Sequence, residues 1–223
     1  MFERYAVFFT PQGPLAEAGA EWLGWNIAQG RPAPQPDLLG LDAAALTATP
    51  RRYGMHGTIK PPFFLAEGQS AEALRRALGA LCADAAPVSL RGMEVSSLGH
   101  FIALTPTGES QDLAALAARV VTQLDSFRAP PSAAELARRR QATLTPAQEA
   151  NLARWGYPYV LDQFRFHITL TGRIEGETQP VQRALQAHFE PHLPRPFPIA
   201  TLTLTGQDAD GMFHEVERFA LGG

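Results

Sequence analysis

The sequence predicts an α+β fold. It is expected to be bilobal, with two pseudo-symmetric strand–helix–strand–strand units whose antiparallel sheets line a central cleft. Three observations carry this expectation. The tetrapeptides His56-Gly57-Thr58-Ile59 and His167-Ile168-Thr169-Leu170 share one pattern: His, any residue, Thr, apolar. Each lies in a run that reads as a β-strand. The same order of elements follows each, at matched offsets: His56 to Phe101 against His167 to Phe213, and His56 to Val88 against His167 to Pro198. Such self-similarity is the mark of a duplicated unit.

The elements follow in order. Residues 4–10 read as an aromatic-rich strand and 15–28 as a helix carrying Trp22 and Trp25. Residues 30–50 hold Pro32, Pro34, Pro36 and Pro50 and read as loop, with a short helix near 43–46. The first His-x-Thr strand comes next, stopped or bent at Pro61-Pro62. A helix over 70–84 has Ser70 as its N-cap. Strands at 88–95 and 101–105 precede a helix over 112–127, with an apolar stripe at Leu113, Leu116, Val120, Leu124 and Phe127. After the His167 strand come a helix near 180–189 and strands at 198–205 and 212–221, joined by a turn at Asp208-Ala209-Asp210-Gly211. The whole chain, 1–223, is expected to form one bilobal domain with a helical insertion at about 129–158. There Ser132…Glu135 and Thr145…Gln148 have capping-box spacing and Pro146 suits a first helical position. Two short helices are predicted, forming a flap near the cleft. Its Arg138-Arg139-Arg140 run could reach a phosphate or could be a solvated helix face.

Side chains on a strand alternate between faces with period two. Around the second motif, Arg165, His167, Thr169, Thr171 and Arg173 share one face, and Phe164, Phe166, Ile168, Leu170 and Ile174 the other. Around the first, His56, Thr58 and Lys60 share a face, while Met55 and Ile59 point away. Each polar face thus carries an imidazole, a hydroxyl two residues on, and a fixed positive charge.

Composition narrows the function classes. The 223 residues are 45% hydrophobic, enough for a full core, with a formal charge of −3 and a pI near 6.1. That balance excludes a global basic field for long nucleic acid but leaves room for small anionic ligands. Cys82 is the only cysteine, so no intrachain disulfide and no cysteine-based zinc site is possible; it reads as core beside Leu74, Leu78 and Leu81. No apolar run approaches the ~18 residues of a membrane span, and the N-terminal residues lack signal-peptide character. A cytoplasmic, soluble protein without a membrane partner is expected, with a monomer slightly favoured.

Two imidazoles suit in-line displacement at phosphorus. An unperturbed histidine titrates near pH 6.5, so one ring can accept a proton from water while the other gives one to the leaving oxygen. Thr58 and Thr169 can bond non-bridging oxygens, and Lys60, Arg165 and Arg173 can offset developing charge. Neither motif supplies the third ligand that a histidine metal site wants, so no metal or other cofactor is expected. Arg52 is a further candidate cation. Tyr53, Tyr157 and Tyr159 are candidates to stack a base or sugar, or to pack a loop. His100, His188, His192 and His214 read as structural or exposed.

Paired His-x-Thr-x motifs on duplicated strand–helix units resemble the two-histidine phosphoesterase superfamily. The strings Arg51-Arg52-Tyr53-Gly54-Met55-His56-Gly57-Thr58-Ile59-Lys60-Pro61-Pro62-Phe63 and Phe164-Arg165-Phe166-His167-Ile168-Thr169-Leu170-Thr171-Gly172-Arg173 resemble, in particular, the branch associated with bacterial phosphonate-utilisation operons. The resemblance covers essentially the whole chain. It implies metal-free opening of a small cyclic phosphodiester, a 2′,3′-cyclic nucleotide or a ribose cyclic phosphate, with His56 and His167 as the catalytic pair and Thr58 and Thr169 as phosphate ligands. Two alternatives remain open at the level of sequence: a non-catalytic nucleotide- or phosphate-binding module, and an RNA-end ligase or processing factor.

Overall fold

The computed structural model describes residues 2–38 and 40–223. Strand β1 (Arg4–Phe9) leads through helix α1 (Gly13–Leu23), the short strands β2 (Trp25–Asn26) and β3 (Arg31–Pro32), α2 (Ala43–Thr47) and a 3-10 turn at Pro50–Tyr53 to β4 (Gly57–Phe63). Next come α3 (Ala71–Ala83), β5 (Val88–Leu90), β6 (Met93–Leu98), β7 (Phe101–Pro106) and α4 (Gln111–Gln123). Helices α5 (Ala133–Arg139) and α6 (Pro146–Trp155) follow, then β8 (Ile168–Thr169), α7 (Gln179–Phe189), β9 (Phe197–Ile199), β10 (Thr201–Gln207) and β11 (Phe213–Ala220).

Seven strands form one antiparallel sheet in the order β11-β10-β1-β4-β8-β7-β6. The fold class is therefore α+β, as the sequence predicts, with one correction. The two units do not each close a sheet of their own. The hairpin β6–β7, which follows the His56 strand in sequence, pairs with the His167 strand β8. The hairpin β10–β11, which follows the His167 strand, pairs with β1 beside β4. The run β10-β1-β4-β8-β7-β6 consequently reads the same from either end, with β4 and β8 at its centre. Those two strands pair only at Gly57 and Ile168. This narrow seam brings residues more than a hundred positions apart side by side.

Local chemistry explains the remaining element boundaries. Helix α1 stops at Leu23 rather than 28, because Gly24 turns left-handed (φ 76°) and its N–H closes onto the carbonyls of Ala20 and Glu21. Trp25 then leaves the helix, and its indole N–H donates to Phe213 O at 2.8 Å. Ser70 caps α3 through the Ala73 N–H, and the helix buries Leu74, Leu78, Leu81 and Cys82. Burial of each leucine is worth about 1.5–3 kcal/mol. The strand expected over 88–95 divides into β5, which pairs β9, and β6, which joins the main sheet. Both predicted capping boxes form, at Ser132–Glu135 and Thr145–Gln148. Arg140 joins α5 to α6 through Glu149, and Ala129 N–H and Phe64 O tie the base of this segment to the end of β4 at 2.8 Å.

The two faces of the sheet differ. Tyr5, Val7 and Phe9 enter the main core with the helices, whereas Ala6 and Phe8 join a smaller cluster with Trp25, Ile27 and Phe213. The second face is the one that carries the site. No described helix is long and apolar enough to cross a membrane.

Candidate active site

The register of β4 against β1 fixes which side chains reach the site. Thr58 lies opposite Phe8, and Gly57 opposite Phe9. Directly opposed residues share a face, so Thr58 stands on the Phe8 face of the sheet. The register slips between Phe8 and Val7, and Lys60, two residues beyond Thr58, lies opposite Val7 on the helix-packed face. This corrects the expectation that Lys60 shares a face with His56 and Thr58. Lys60 is 2% exposed, its Nζ donates to Val121 O at 3.1 Å, and Asp125 lies 3.8 Å away. Burial pushes its pKa down to about 8. The same strand tolerates Pro61 and Pro62 because β4 pairs with β8 only at Gly57, leaving that edge unpaired beyond it.

The second motif departs from regular alternation at its far end. Strand β8 stops at Thr169, and the N–H groups of Leu170 and Thr171 both donate to Ile102 O. Thr171 turns its hydroxyl back to accept the Ile102 N–H at 3.0 Å, and Gly172 N–H leaves for Leu46 O. Arg173 is thereby carried off the polar face. It is exposed beside Gly99, His100 and Phe101 and does not line the cavity that holds the histidines. The indole N–H of Trp22 caps the strand end by donating to Leu170 O at 2.8 Å.

His56 and His167 are held alike. His56 Nδ1 lies 3.0 Å from Gly54 O, and His167 Nδ1 lies 2.9 Å from Arg165 O, in each case the carbonyl two residues before. A carbonyl only accepts, so each Nδ1 is the donor and Nε2 carries the lone pair of the neutral ring. Gly54 adopts φ 66°, and a Cβ there would meet Ile27 Cβ at 2.7 Å. Only glycine fits that turn without strain. Thr58 Oγ1 is 3.2 Å from His56 Nε2.

The surroundings of the two rings differ. Phe8 lies 4.1 Å from the His56 ring, and Tyr53 stacks on it at 5.4 Å and 19°. Phe213 stacks on Tyr53 in turn at 5.0 Å. Burial lowers the His56 pKa to about 4; the Gly54 carbonyl works against that shift, and the nearby His167 adds to it. His56 is therefore neutral at pH 7. His167 has Phe101 as its aromatic neighbour, at 6.0 Å.

Both imidazoles line one cavity of about 850 Å³. Thr58, Thr169, Arg52, Tyr53, Arg165, Tyr157 and Tyr159 line it with them. The site also takes side chains outside the two motifs. Arg4 enters from β1, on the Phe8 side of its strand, and period two along β1 is the signal that finds it. Arg138 and Arg139 enter from α5, and Gln148 from α6. The neighbours Arg51 and Arg52 part company: Arg51 donates to Leu23 O and Gln35 Oε1, pinning the loop, and only Arg52 reaches the cavity. Among the described residues no three His, Cys, Asp or Glu are grouped to hold a metal ion. His214 pairs with Asp208 at 2.6 Å, outside this cavity.

The fold and the sequence of the chain can be set beside known proteins. In fold it is similar to E. coli LigT in its apo form, with a TM-score of 0.50 and 16% sequence identity over 100% of this chain and 99% of that one. The chain matches the family DUF1045, described as a protein of unknown function, over residues 58–214, and it belongs to that family. It is 38% identical, over 99% of its own length and 51% of the relative's, to the ribose 1,5-bisphosphate phosphokinase PhnN of Janthinobacterium sp. strain Marseille. A second protein of that name, from Laribacter hongkongensis strain HLHK9, is 34% identical over 86% of this chain and 46% of its own length. The chain thus spans about half the length of these relatives.

Proposed function

We propose that this chain is a metal-independent phosphodiesterase that opens a small cyclic phosphodiester, with a ribose cyclic phosphate favoured over a 2′,3′-cyclic nucleotide, in phosphonate metabolism. One observation carries the reading: two imidazoles, each with Nδ1 pinned to the carbonyl two residues back, face one cavity whose lining includes no carboxylate. Neutral His56 takes a proton from water at Nε2 as the water oxygen bonds to phosphorus. The ring P–O bond opposite breaks, and His167 gives its proton to the departing alkoxide. Thr58 and Thr169 bond the non-bridging oxygens, and Arg52 and Arg165 offset their charge. The products are a phosphomonoester and a free hydroxyl on the same molecule, which balances atoms and charge without a further reactant.

The preference for ribose comes from the relatives. Their name refers to ribose 1,5-bisphosphate, and opening a 1,2-cyclic phosphate of ribose yields a ribose 1-phosphate ester or its 2-isomer. We infer that the phosphokinase chemistry named for those proteins belongs to the part of them that this chain does not span. A P-loop needs a lysine after glycine and before Ser or Thr, but the single lysine here is the buried Lys60, between Ile59 and Pro61. The test is turnover of a panel of cyclic phosphates by wild type, His56→Ala and His167→Ala. Each substitution is expected to lower kcat/KM by at least about a hundredfold. Tight binding without turnover by wild type across the panel would leave a binding module in place of the enzyme.

A further inference from the structure

We propose that the cavity takes a substrate bearing a second phosphoryl group, a phosphomonoester on the same molecule, and that Arg138 and Arg139 are the specificity-determining side chains that hold it. This rests on the cyclic phosphodiesterase reading. Five arginines line the cavity: Arg4, Arg52, Arg138, Arg139 and Arg165. Among the described residues, none of the five forms an ion pair. Of the thirteen arginines elsewhere in the chain, six are ion-paired among the described residues. Arg75, Arg76, Arg119, Arg128, Arg140 and Arg218 each sit on a carboxylate. In a chain with 22 acidic residues and 19 basic ones, five guanidinium groups without carboxylate partners share one cavity, and no Asp or Glu lines it.

A cyclic phosphodiester brings one negative charge. Five guanidinium groups around it would repel one another with too little anion between them. A phosphomonoester adds about 1.5 to 2 further charges and three acceptor oxygens, which matches the surplus. The assignment to α5 follows from sequence and contacts. Arg52 and Arg165 precede the two histidines by four and two positions and belong with the reacting phosphate. Arg4 is partly engaged, with its Nε on Gln207 Oε1 at 2.6 Å. Arg138 and Arg139 come from a separate element, and the Arg139 guanidinium is held over the Tyr157 ring at 4.5 Å, within the same cavity wall. The third member of the run, Arg140, does not line the cavity and is paired with Glu149. Two of three consecutive arginines thus face the cavity unpaired, while the one that does not is neutralised.

The experiment compares ribose 1,2-cyclic phosphate with its 5-phosphorylated form on wild type and the Arg138→Ala/Arg139→Ala double variant. It also measures ribose 5-phosphate binding calorimetrically on both proteins. Wild type is expected to prefer the 5-phosphorylated ester by at least tenfold in kcat/KM. The double variant is expected to lose most of that ratio and to weaken ribose 5-phosphate binding at least tenfold. An Arg138→Lys/Arg139→Lys variant, which keeps the charge, is expected to recover part of the preference. Equal losses on both esters, or an unchanged ratio, would overturn the second-phosphate site while leaving the phosphodiesterase reading intact. No turnover of either ester, together with arginine-dependent binding of ribose 5-phosphate, would overturn that reading and support the site.

Discussion

Gly57 offers a direct test of how the two histidines are brought together. It is the only residue of β4 that pairs with β8, and the edge of the Phe166 ring presses on it. A Cβ placed there would overlap Phe166 Cε2 and Cζ, far inside van der Waals contact. Ordinary carbon contacts are about 3.5–4.0 Å, so Gly57→Ala must open the seam by roughly 1 Å or more. Phe166 cannot swing clear easily, because it is buried and packs edge-on against Phe9 at 6.1 Å. Overpacking of this kind costs about 1–3 kcal/mol, which for a chain of this size lowers Tm by roughly 2–12 °C. The effect on catalysis is expected to be larger than the loss of stability suggests. A misplacement of about 1 Å between catalytic groups can cost about a hundredfold in rate. Gly57→Ala should therefore reduce kcat/KM on a cyclic phosphate by about ten- to a hundredfold at a temperature where the variant remains folded. Adding Phe166→Leu should restore part of both quantities. A Gly57→Ala protein with wild-type Tm and wild-type kcat/KM would refute the idea that this contact sets the spacing of the imidazoles.

Four further outcomes follow. Between pH 6.5 and about 4 the unfolded chain binds a proton at His56 that the folded protein refuses, so stability should fall as pH drops through that window. The loss attributable to His56 is about 3 kcal/mol, read as the difference in urea midpoints between wild type and His56→Gln at pH 7 and pH 4. Gly54→Ala should lower kcat/KM at least tenfold with modest destabilisation, because strain at φ 66° shifts the carbonyl that holds His56 Nδ1. Lys60→Met should keep kcat/KM within about threefold of wild type while altering Tm, since Lys60 lies among Val121, Asp125 and Phe63 rather than at the cavity. Turnover should be unchanged after dialysis against EDTA, measured beside an untreated control.

The histidines, their threonines and the order of elements were legible because strand alternation and duplication leave marks in a one-dimensional pattern. Capping chemistry was legible for the same reason: Ser132, Thr145 and Pro146 act within three residues of themselves. What escaped was set by partners distant in sequence. The bulge opposite Val7 that turns Lys60 inward depends on register with β1. The departure of Arg173 depends on two amides sharing Ile102 O. The exchange of hairpins between the two halves also has no local signal, since β7 reads equally well beside β4 or beside β8. Arg51 and Arg52 are indistinguishable in sequence and are separated only by Gln35 and Leu23 O, which claim the first.

The pseudo-twofold arrangement sharpens a question that a symmetric pair of histidines would leave open, namely how one motif used twice yields two different roles. Both rings have the same backbone acceptor and hence the same tautomer, so the difference must come from what packs on them. His56 lies against Phe8 and under Tyr53, which Phe213 backs, and that wall belongs to the β1–β10–β11 side of the sheet. Among the described residues, His167 has one aromatic neighbour, Phe101, at the start of β7. Strand β11 has no counterpart beyond β6, so Phe213 is an addition that breaks the symmetry on one side alone. Desolvation then favours a neutral His56, which suits it to accept the proton in the proposed reaction, the donor's role falling to His167 under the same proposal. On this argument Phe213→Ala, which removes the backing without touching either imidazole, should raise the His56 pKa toward its ordinary value. It should also move the acid limb of kcat/KM upward in pH, and an acid limb that does not move would assign the base to another group.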